Sequence, residues 1–61
     1  MELIAIGDNG KHSINLNNYK IIDQVIKEAY NLNYDSAREL KLKVGDQVYL
    51  LESLKDLNDY R

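Results

Sequence analysis

The chain has 61 residues, no cysteine, one histidine and a net charge of -2, with a pI near 5.1. This length predicts one domain (residues 1–61), and the missing thiols and lone histidine exclude a disulfide, a thiolate site and a histidine-based zinc site. The acidic balance disfavours nucleic acid as a partner, because phosphate contacts need a basic surface. The first apolar run is too short for a signal peptide or a membrane span, so we expect no membrane partner and a cytoplasmic or virion protein.

Residues 2–16 are predicted to form a β-hairpin. Two short β-rich runs, residues 2–6 and 13–16, flank a segment of Gly, Asp and Asn, which accept positive φ or bond their own backbone in turns. The Gly-x-x-Gly spacing of this segment also occurs in phosphate-cradling loops, but Asp8 would repel a phosphate. Asp8, His12 and Ser13 are the residue types of a hydrolytic triad, yet they share one exposed turn without an enclosing pocket. We therefore expect a turn here and no enzyme.

A wide apolar stripe in residues 17–33 predicts the central helix. Its members recur every four positions, and they are Ile21, Ile22, Val25, Ile26, Ala29 and Tyr30. Asn17 or Asn18 is the expected N-cap. Leu32 is expected to turn back under the helix and close the core, and the rest of the chain to pack as sheet against the stripe.

The C-terminal half changes its period from helical to alternating. Residues 34–40 leave two structures open: a helical turn capped by Asp35, or an early start of the next strand at Arg38. Residues 40–51 alternate about Gly45-Asp46, which predicts a second hairpin or a closing strand after a structured loop. Ser53-Leu54-Lys55-Asp56 has the form of a capping box and predicts a short last helix. The fold class is therefore α+β.

Seven residues are predicted to bind a protein partner, because a domain this small is marginally stable alone and is expected to form an assembly or oligomer. Arg38, Lys41 and Lys43 form a basic cluster that either protects an edge strand or binds an acidic surface. With no Phe or Trp available, some tyrosines must fill the core, and Tyr49 and Tyr60 are the expected exposed anchors. The last helix is too short to be stable alone, so it docks on its own sheet or presents Leu54 and Leu57 to the partner.

Residues 14–51 resemble the LysM domain in the order strand, helix, second helix, loop and strand. Residues 21–32 are similar to its first helix and the turn after it, residues 34–40 to its second helix, and residues 42–50 to its closing segment. Asn18-Tyr19-Lys20 replaces the family's Gly-Asp-Thr, and the chain has an additional N-terminal hairpin. Both departures affect the family's sugar groove, so the resemblance implies the phage tail or baseplate adaptor type more than a glycan binder.

A second resemblance concerns residues 11–16 and the helix that follows, which are similar to the opening of ribbon-helix-helix repressors. It implies a second helix over residues 40–50, but these residues alternate with a period of two, which is typical of a strand, and Gly45-Asp46 interrupts them.

We predict a non-catalytic protein–protein interaction module without a cofactor, as a structural or adaptor component of a phage-like tail. The alternatives are a small phage-encoded inhibitor that blocks a host enzyme with an acidic, tyrosine-bearing surface, and a glycan-binding LysM module.

Overall fold

The computed structural model describes residues 1–60. Its strands are β1 (Glu2–Gly7), β2 (Gly10–Asn15), β3 (Glu39–Val44) and β4 (Gln47–Leu51), and its α-helix is α1 (Ile22–Asn31). Three 3₁₀ segments are also present, at Leu16–Asn18, Tyr34–Ser36 and Leu54–Tyr60. The predicted α+β class, the N-terminal hairpin and the central helix are confirmed.

The strands form one antiparallel sheet in the order β2-β1-β3-β4. Each hairpin closes on a two-residue turn, since Gly7 pairs with Gly10 and Val44 pairs with Gln47. Gly10 has a φ of 105° and Gly45 a φ of 61°, values that glycine adopts without the steric cost that a Cβ imposes. The second hairpin is therefore present, and residues 40–50 do not form the second helix of a ribbon-helix-helix protein.

A single hydrophobic core lies between one face of the sheet and the helical segments. α1 and the 3₁₀ helix Leu54–Tyr60 both pack on this face. The buried residues of the cluster are Leu3, Ala5, Ile14, Leu16, Val25, Ala29, Tyr34, Leu40, Leu42, Leu51, Leu54 and Leu57. Tyr34 occupies the kind of core position that Phe would otherwise fill, as the composition predicts.

The helix begins later than the sequence suggests. Ile21 is its N-cap, in extended conformation and without a side-chain cap hydrogen bond. Asn17 and Asn18 lie instead in a separate 3₁₀ turn, which Asn15 caps by accepting a hydrogen bond of 2.9 Å from the Asn17 N–H. The prediction that Asn17 or Asn18 caps α1 is wrong, because the end of β2 already supplies a capping asparagine one turn earlier.

The apolar stripe of α1 is narrower than predicted. Val25 and Ala29 are buried, and Ile22 and Ile26 pack against the core with part of their surface exposed. Ile21 precedes the helix and is 56% exposed, and Tyr30 is exposed as well. The core-facing residues thus follow i, i+3, i+4 and i+7, which is the usual stripe of a helix that packs on one surface only.

Leu32 does not close the core, and its side chain is 50% exposed. The chain reverses at Asn33, whose φ of 62° is left-handed, and this reversal directs Tyr34 inward instead. Asn33 and not Asp35 is the N-cap of the turn Tyr34–Ser36. Residues 34–40 therefore contain a single helical turn followed by the start of β3 at Glu39, where the LysM resemblance implies a second helix.

The C-terminal segment docks on its own fold. The Asp56 carboxylate accepts hydrogen bonds from the backbone N–H groups of Glu52, at 2.8 Å, and Ser53, at 3.2 Å. The Ser53 bond is the carboxylate half of the predicted capping box. Leu54 and Leu57 are buried in the core, so the prediction that they contact a partner is wrong: they hold the segment against α1 and β4.

Candidate functional site

The candidate site is the face of the sheet that is opposite the core, hereafter the uncovered face. Cross-strand partners share a face, so the register aligns Ser13, Ile4, Lys41 and Leu50 in one row and Asn15, Glu2, Lys43 and Val48 in the next. Ile6 pairs with Lys11 and Glu39 in a third row. The helical segments among residues 1–60 contribute their buried side chains to the core on the other face.

The apolar part of the uncovered face is concentrated on β4. Leu50 is 75% exposed and Val48 is 53% exposed, whereas Ile4 in the same face is only 7% exposed. Ile4 is on the inner strand β1 and has a cross-strand neighbour on each side, Ser13 and Lys41. Val48 and Leu50 are on an edge strand with a neighbour on one side only, so they form an apolar edge on an otherwise mixed surface.

The charges of the uncovered face are mainly basic. Its three lysines (Lys11, Lys41 and Lys43) and two glutamates (Glu2 and Glu39) give a local charge of +1, whereas the whole chain has a charge of -2. The Lys41 Nζ lies 3.6 Å from the Glu39 Oε2, a contact between partly exposed groups that contributes little to stability. The face therefore differs in sign from the rest of the protein.

The structure brings together only part of the predicted basic cluster. Lys41 and Lys43 lie side by side on the uncovered face, but β3 is an inner strand between β1 and β4. The interpretation that these lysines protect an edge strand is therefore wrong. Arg38 precedes β3, about 16 Å of extended chain from Lys43, and forms an ion pair with Asp8 at the β1–β2 turn.

Tyr49 and Tyr60 meet on the core side of β4. Their ring centroids are 5.6 Å apart with an interplanar angle of 44°, a separation typical of favourable aromatic pairs. The Tyr49 hydroxyl also donates a hydrogen bond to the Gln47 Oε1. Tyr49 remains partly exposed and Tyr60 packs against the core. The pair therefore supports β4 on its core side, next to the apolar edge.

Sequence reasoning did not select Val48 and Leu50 as binding residues, although the signal was present. A two-residue turn at Gly45-Asp46 pairs Leu42 with Tyr49. Since Leu42 faces the core, Tyr49 must face it too, and Val48 and Leu50 must face the opposite way. The turn length combined with alternation therefore predicts two exposed apolar side chains on β4.

Two grooves lie outside the uncovered face. One, of about 480 Å³, is bordered by the turn Leu16–Asn18, the start of α1 and Tyr60. Its volume is within the range of small-molecule sites. It is open to solvent and its polar lining residues are Asn17, Lys20 and Asp23.

The second groove, of about 400 Å³, lies under the β1–β2 turn and is lined in part by His12 and Tyr34. Burial raises the pKa of the Tyr34 hydroxyl above its usual value, and nearby Tyr19 adds a smaller effect in the same direction. His12 pairs with Ala5 on the core side, and Ser13 pairs with Ile4 on the uncovered face. The two side chains point to opposite faces, so Asp8, His12 and Ser13 do not form a triad.

Within residues 1–60, no group of three or more His, Cys, Asp or Glu side chains is placed to hold a metal ion. No helix in this part of the chain is long and apolar enough to cross a membrane. No protein-family model matches the chain, and no match was found among curated proteins or among solved structures.

Proposed function

We propose that this chain is a non-catalytic protein–protein interaction module that binds its partner with the uncovered face and its β4 border. One observation carries the proposal: Leu50, at 75% exposure, and Val48, at 53%, lie two residues apart on one strand. Of the remaining apolar side chains of the sheet, Tyr49 is 38% exposed on the core side of β4, and the others are buried or partly buried. Exposed apolar residues that cluster with polar neighbours are typical of binding surfaces.

The neighbouring charges indicate the kind of surface that this face fits. Lys43 pairs with Val48 and Lys41 pairs with Leu50, so each exposed apolar residue has a lysine beside it on the same face. A partner that is apolar at the centre and acidic at its rim would match this arrangement. Rim charges of this kind mainly accelerate association and make it dependent on salt concentration.

Within this class, we propose an assembly role, as a structural or adaptor component of a phage-like tail or baseplate. The similarity of residues 21–32 to the first helix of the LysM domain and the turn after it, together with the uncovered sheet face, supports this role. A subunit of an assembly buries such a face against its neighbour. An adaptor is expected to co-purify with tail proteins, whereas an inhibitor is expected to retain one host enzyme.

The glycan-binding alternative has a separate test. A LysM module of that type would show chemical-shift changes with chitin oligomers or peptidoglycan fragments. Absence of any shift at millimolar ligand removes this alternative and leaves the protein-binding proposal intact.

The test of the surface compares two exposed leucines. Leu50→Asp places a charge in the apolar edge, and Leu32→Asp makes the same change at a half-exposed position outside the uncovered face. We expect tagged Leu50→Asp to lose at least about tenfold of the partner that the unmodified chain retains from lysate, and Leu32→Asp to retain it. Equal retention by both variants, with circular dichroism unchanged, would contradict the proposal.

A paired charge reversal tests the basic rim. Lys41→Glu combined with Lys43→Glu is expected to weaken association and to flatten its salt dependence, because the attractive rim charges are lost. Lys20→Glu combined with Lys27→Glu changes the net charge equally at exposed positions away from this face. If both double variants bind alike, the lysines of the uncovered face have no role in recognition.

A further inference from the structure

The free edge of β4 offers backbone groups as well as side chains. β4 pairs with β3 only, so its other edge has no strand partner among residues 1–60. Val44 and Gln47 flank a two-residue turn and are therefore a hydrogen-bonded pair, after which bonded and non-bonded pairs alternate. The N–H and C=O groups of Val48 and Leu50 consequently point away from β3 and towards the free edge.

This edge is held in an extended conformation before any partner arrives. On the core side, the Tyr49 hydroxyl bonds Gln47 and the Tyr49 ring packs on Tyr60. Leu51 is buried, and the following turn is bonded by the Asp56 carboxylate. A strand that is already ordered by contacts on its core side loses little conformational freedom when another strand pairs with it.

Acidic side chains border β4 at both ends, while the strand itself contains no charge. Asp46 precedes it and Glu52 follows it, both are exposed, and neither forms an ion pair within residues 1–60. In an antiparallel pair of two copies centred on Tyr49, Asp46 of each copy would stand opposite Glu52 of the other. Like charges opposite each other destabilise strand pairing, so this edge favours a basic-ended segment over a second copy.

We propose that the edge of β4 receives an extended segment of the partner as an additional strand. The segment has apolar residues opposite Val48 and Leu50 and basic residues opposite Asp46 and Glu52. Backbone hydrogen bonds to Val48 and Leu50 hold it, and the apolar pairs extend the uncovered face by one strand. This inference rests on the proposed interaction function and assigns its contact to strand addition.

The probe is a capped heptapeptide, Lys-Thr-Val-Thr-Val-Thr-Lys, whose alternate residues match the required pattern. We expect its addition to slow hydrogen exchange of the Val48 and Leu50 amides, measured by NMR on the labelled full chain. A peptide with glutamate at both ends is expected to bind at least about tenfold more weakly, because two attractive pairs become repulsive. A peptide N-methylated at both valines is expected not to bind, since it lacks the N–H donors.

Two proline variants locate the contact on the chain. Leu50→Pro removes an N–H that points away from β3, so the β3–β4 pairing retains its hydrogen bonds. Ser13→Pro is the matched change on the opposite edge, since Ser13 occupies the equivalent outward position of β2 by the same turn rule. Peptide binding is expected to be lost in Leu50→Pro and unchanged in Ser13→Pro, because Ser13 is on β2, which β1 and β3 separate from the edge strand that receives the peptide.

The outcomes separate strand addition from the broader proposal. If the lysine-ended peptide does not bind at millimolar concentration, or binds Leu50→Pro normally, strand addition is overturned. The interaction surface still stands in that case if Leu50→Asp loses its captured partner. Concentration-dependent dimerisation of the free chain with protected Val48 and Leu50 amides would also overturn the inference, because it assigns this edge to a second copy.

Discussion

The two edge strands of the sheet differ in how they are prepared for contact. β2 is polar at its border, with Lys11, His12 and Ser13 all exposed. β4 has no charged residue and exposes Val48 and Leu50. Lysine on an edge opposes pairing with another chain, and its absence permits such pairing. One sheet thus combines an edge that is protected from association with an edge that is open to it.

The two edges also differ in what supports them from the core. β2 contributes Ile14 to the core and continues into the turn that carries Leu16. β4 contributes Leu51, and the 3₁₀ helix Leu54–Tyr60 then adds two further buried leucines. The comparison shows that the more apolar edge is not an incomplete part of the fold. Its inner side is packed while its outer side is exposed.

The largest expected effect tests this support of β4. Leu57→Ala removes a fully buried side chain, and such truncations cost about 2–5 kcal/mol. A domain of this size has little stability to spare, so we expect urea denaturation to show that Leu57→Ala has lost most of its free energy of unfolding. Leu50→Ala is the same change at an exposed position of β4, and we expect it to alter the free energy of unfolding by no more than about 0.5 kcal/mol. Similar losses for both variants would mean that the outer side of β4 is packed too.

A smaller effect compares the turns that lead into the two edges. Gly10 has a φ of 105°, outside the left-handed region that asparagine tolerates, and Gly45 has a φ of 61°, inside it. A Cβ at either position would have no heavy atom within 4 Å beyond the adjoining residues, so backbone strain decides the cost. Gly10→Asn is expected to lose about 1–3 kcal/mol and Gly45→Asn a few tenths, measured by thermal unfolding. The reverse order would refute the assigned turn conformations.

The next prediction concerns the polar end of β4. Asp56→Ala removes the acceptor of the Glu52 and Ser53 N–H groups, and loss of a cap of this kind costs about 1 kcal/mol in chemical denaturation. Both hydrogen bonds go to the same oxygen, Oδ2, so Asp56→Asn retains a suitable acceptor and is expected to lose less. An Asp56→Asn variant as unstable as Asp56→Ala would indicate that charge, and not hydrogen bonding, is responsible.

The smallest effect concerns Tyr34, which lines the groove under the β1–β2 turn, and it is visible only at alkaline pH. Burial raises the pKa of Tyr34 in the folded chain, so the unfolded chain releases this proton first as pH rises. The stabilisation that the protonated Tyr34 hydroxyl contributes is complete below about pH 10, the pKa of tyrosine in the unfolded chain, and it is lost as the pH rises above that value. Tyr34→Phe is expected to leave the unfolding midpoint at pH 7 nearly unchanged and to reduce its decline above pH 10. An identical decline in both proteins would contradict the assignment.

Local patterns predicted most of the fold. The hairpin turns within residues 7–12 and at Gly45-Asp46 and the contact of Asp56 with Ser53 depend on residues near each other in sequence, and all are present. The first turn is tighter than predicted, because β2 begins at Gly10 and leaves only Asp8-Asn9 between the strands. The errors concern choices between nearby residues of similar chemistry. Asn15 caps a turn before Asn17 or Asn18 can cap α1, and Tyr34 enters the core in place of Leu32.

The candidate site was predicted less completely than the fold. Lys41, Lys43 and Tyr49 lie on or beside it, whereas Leu54 and Leu57 are core residues. An amphipathic pattern identifies side chains that can be buried, but it does not tell whether the chain itself or a partner buries them. That question depends on which segments return to the sheet, and this is a long-range property.

By itself, the sequence determined the α+β class, the alternation of the strands and the segments that contain the hairpin turns, because these follow from backbone preferences and local periodicity. Only the tertiary structure decided which apolar residues are covered. Within residues 1–60, α1 and the 3₁₀ helix Leu54–Tyr60 pack on the same face of the sheet. Segments that all lie on one face cannot cover the other, so Val48 and Leu50 remain exposed.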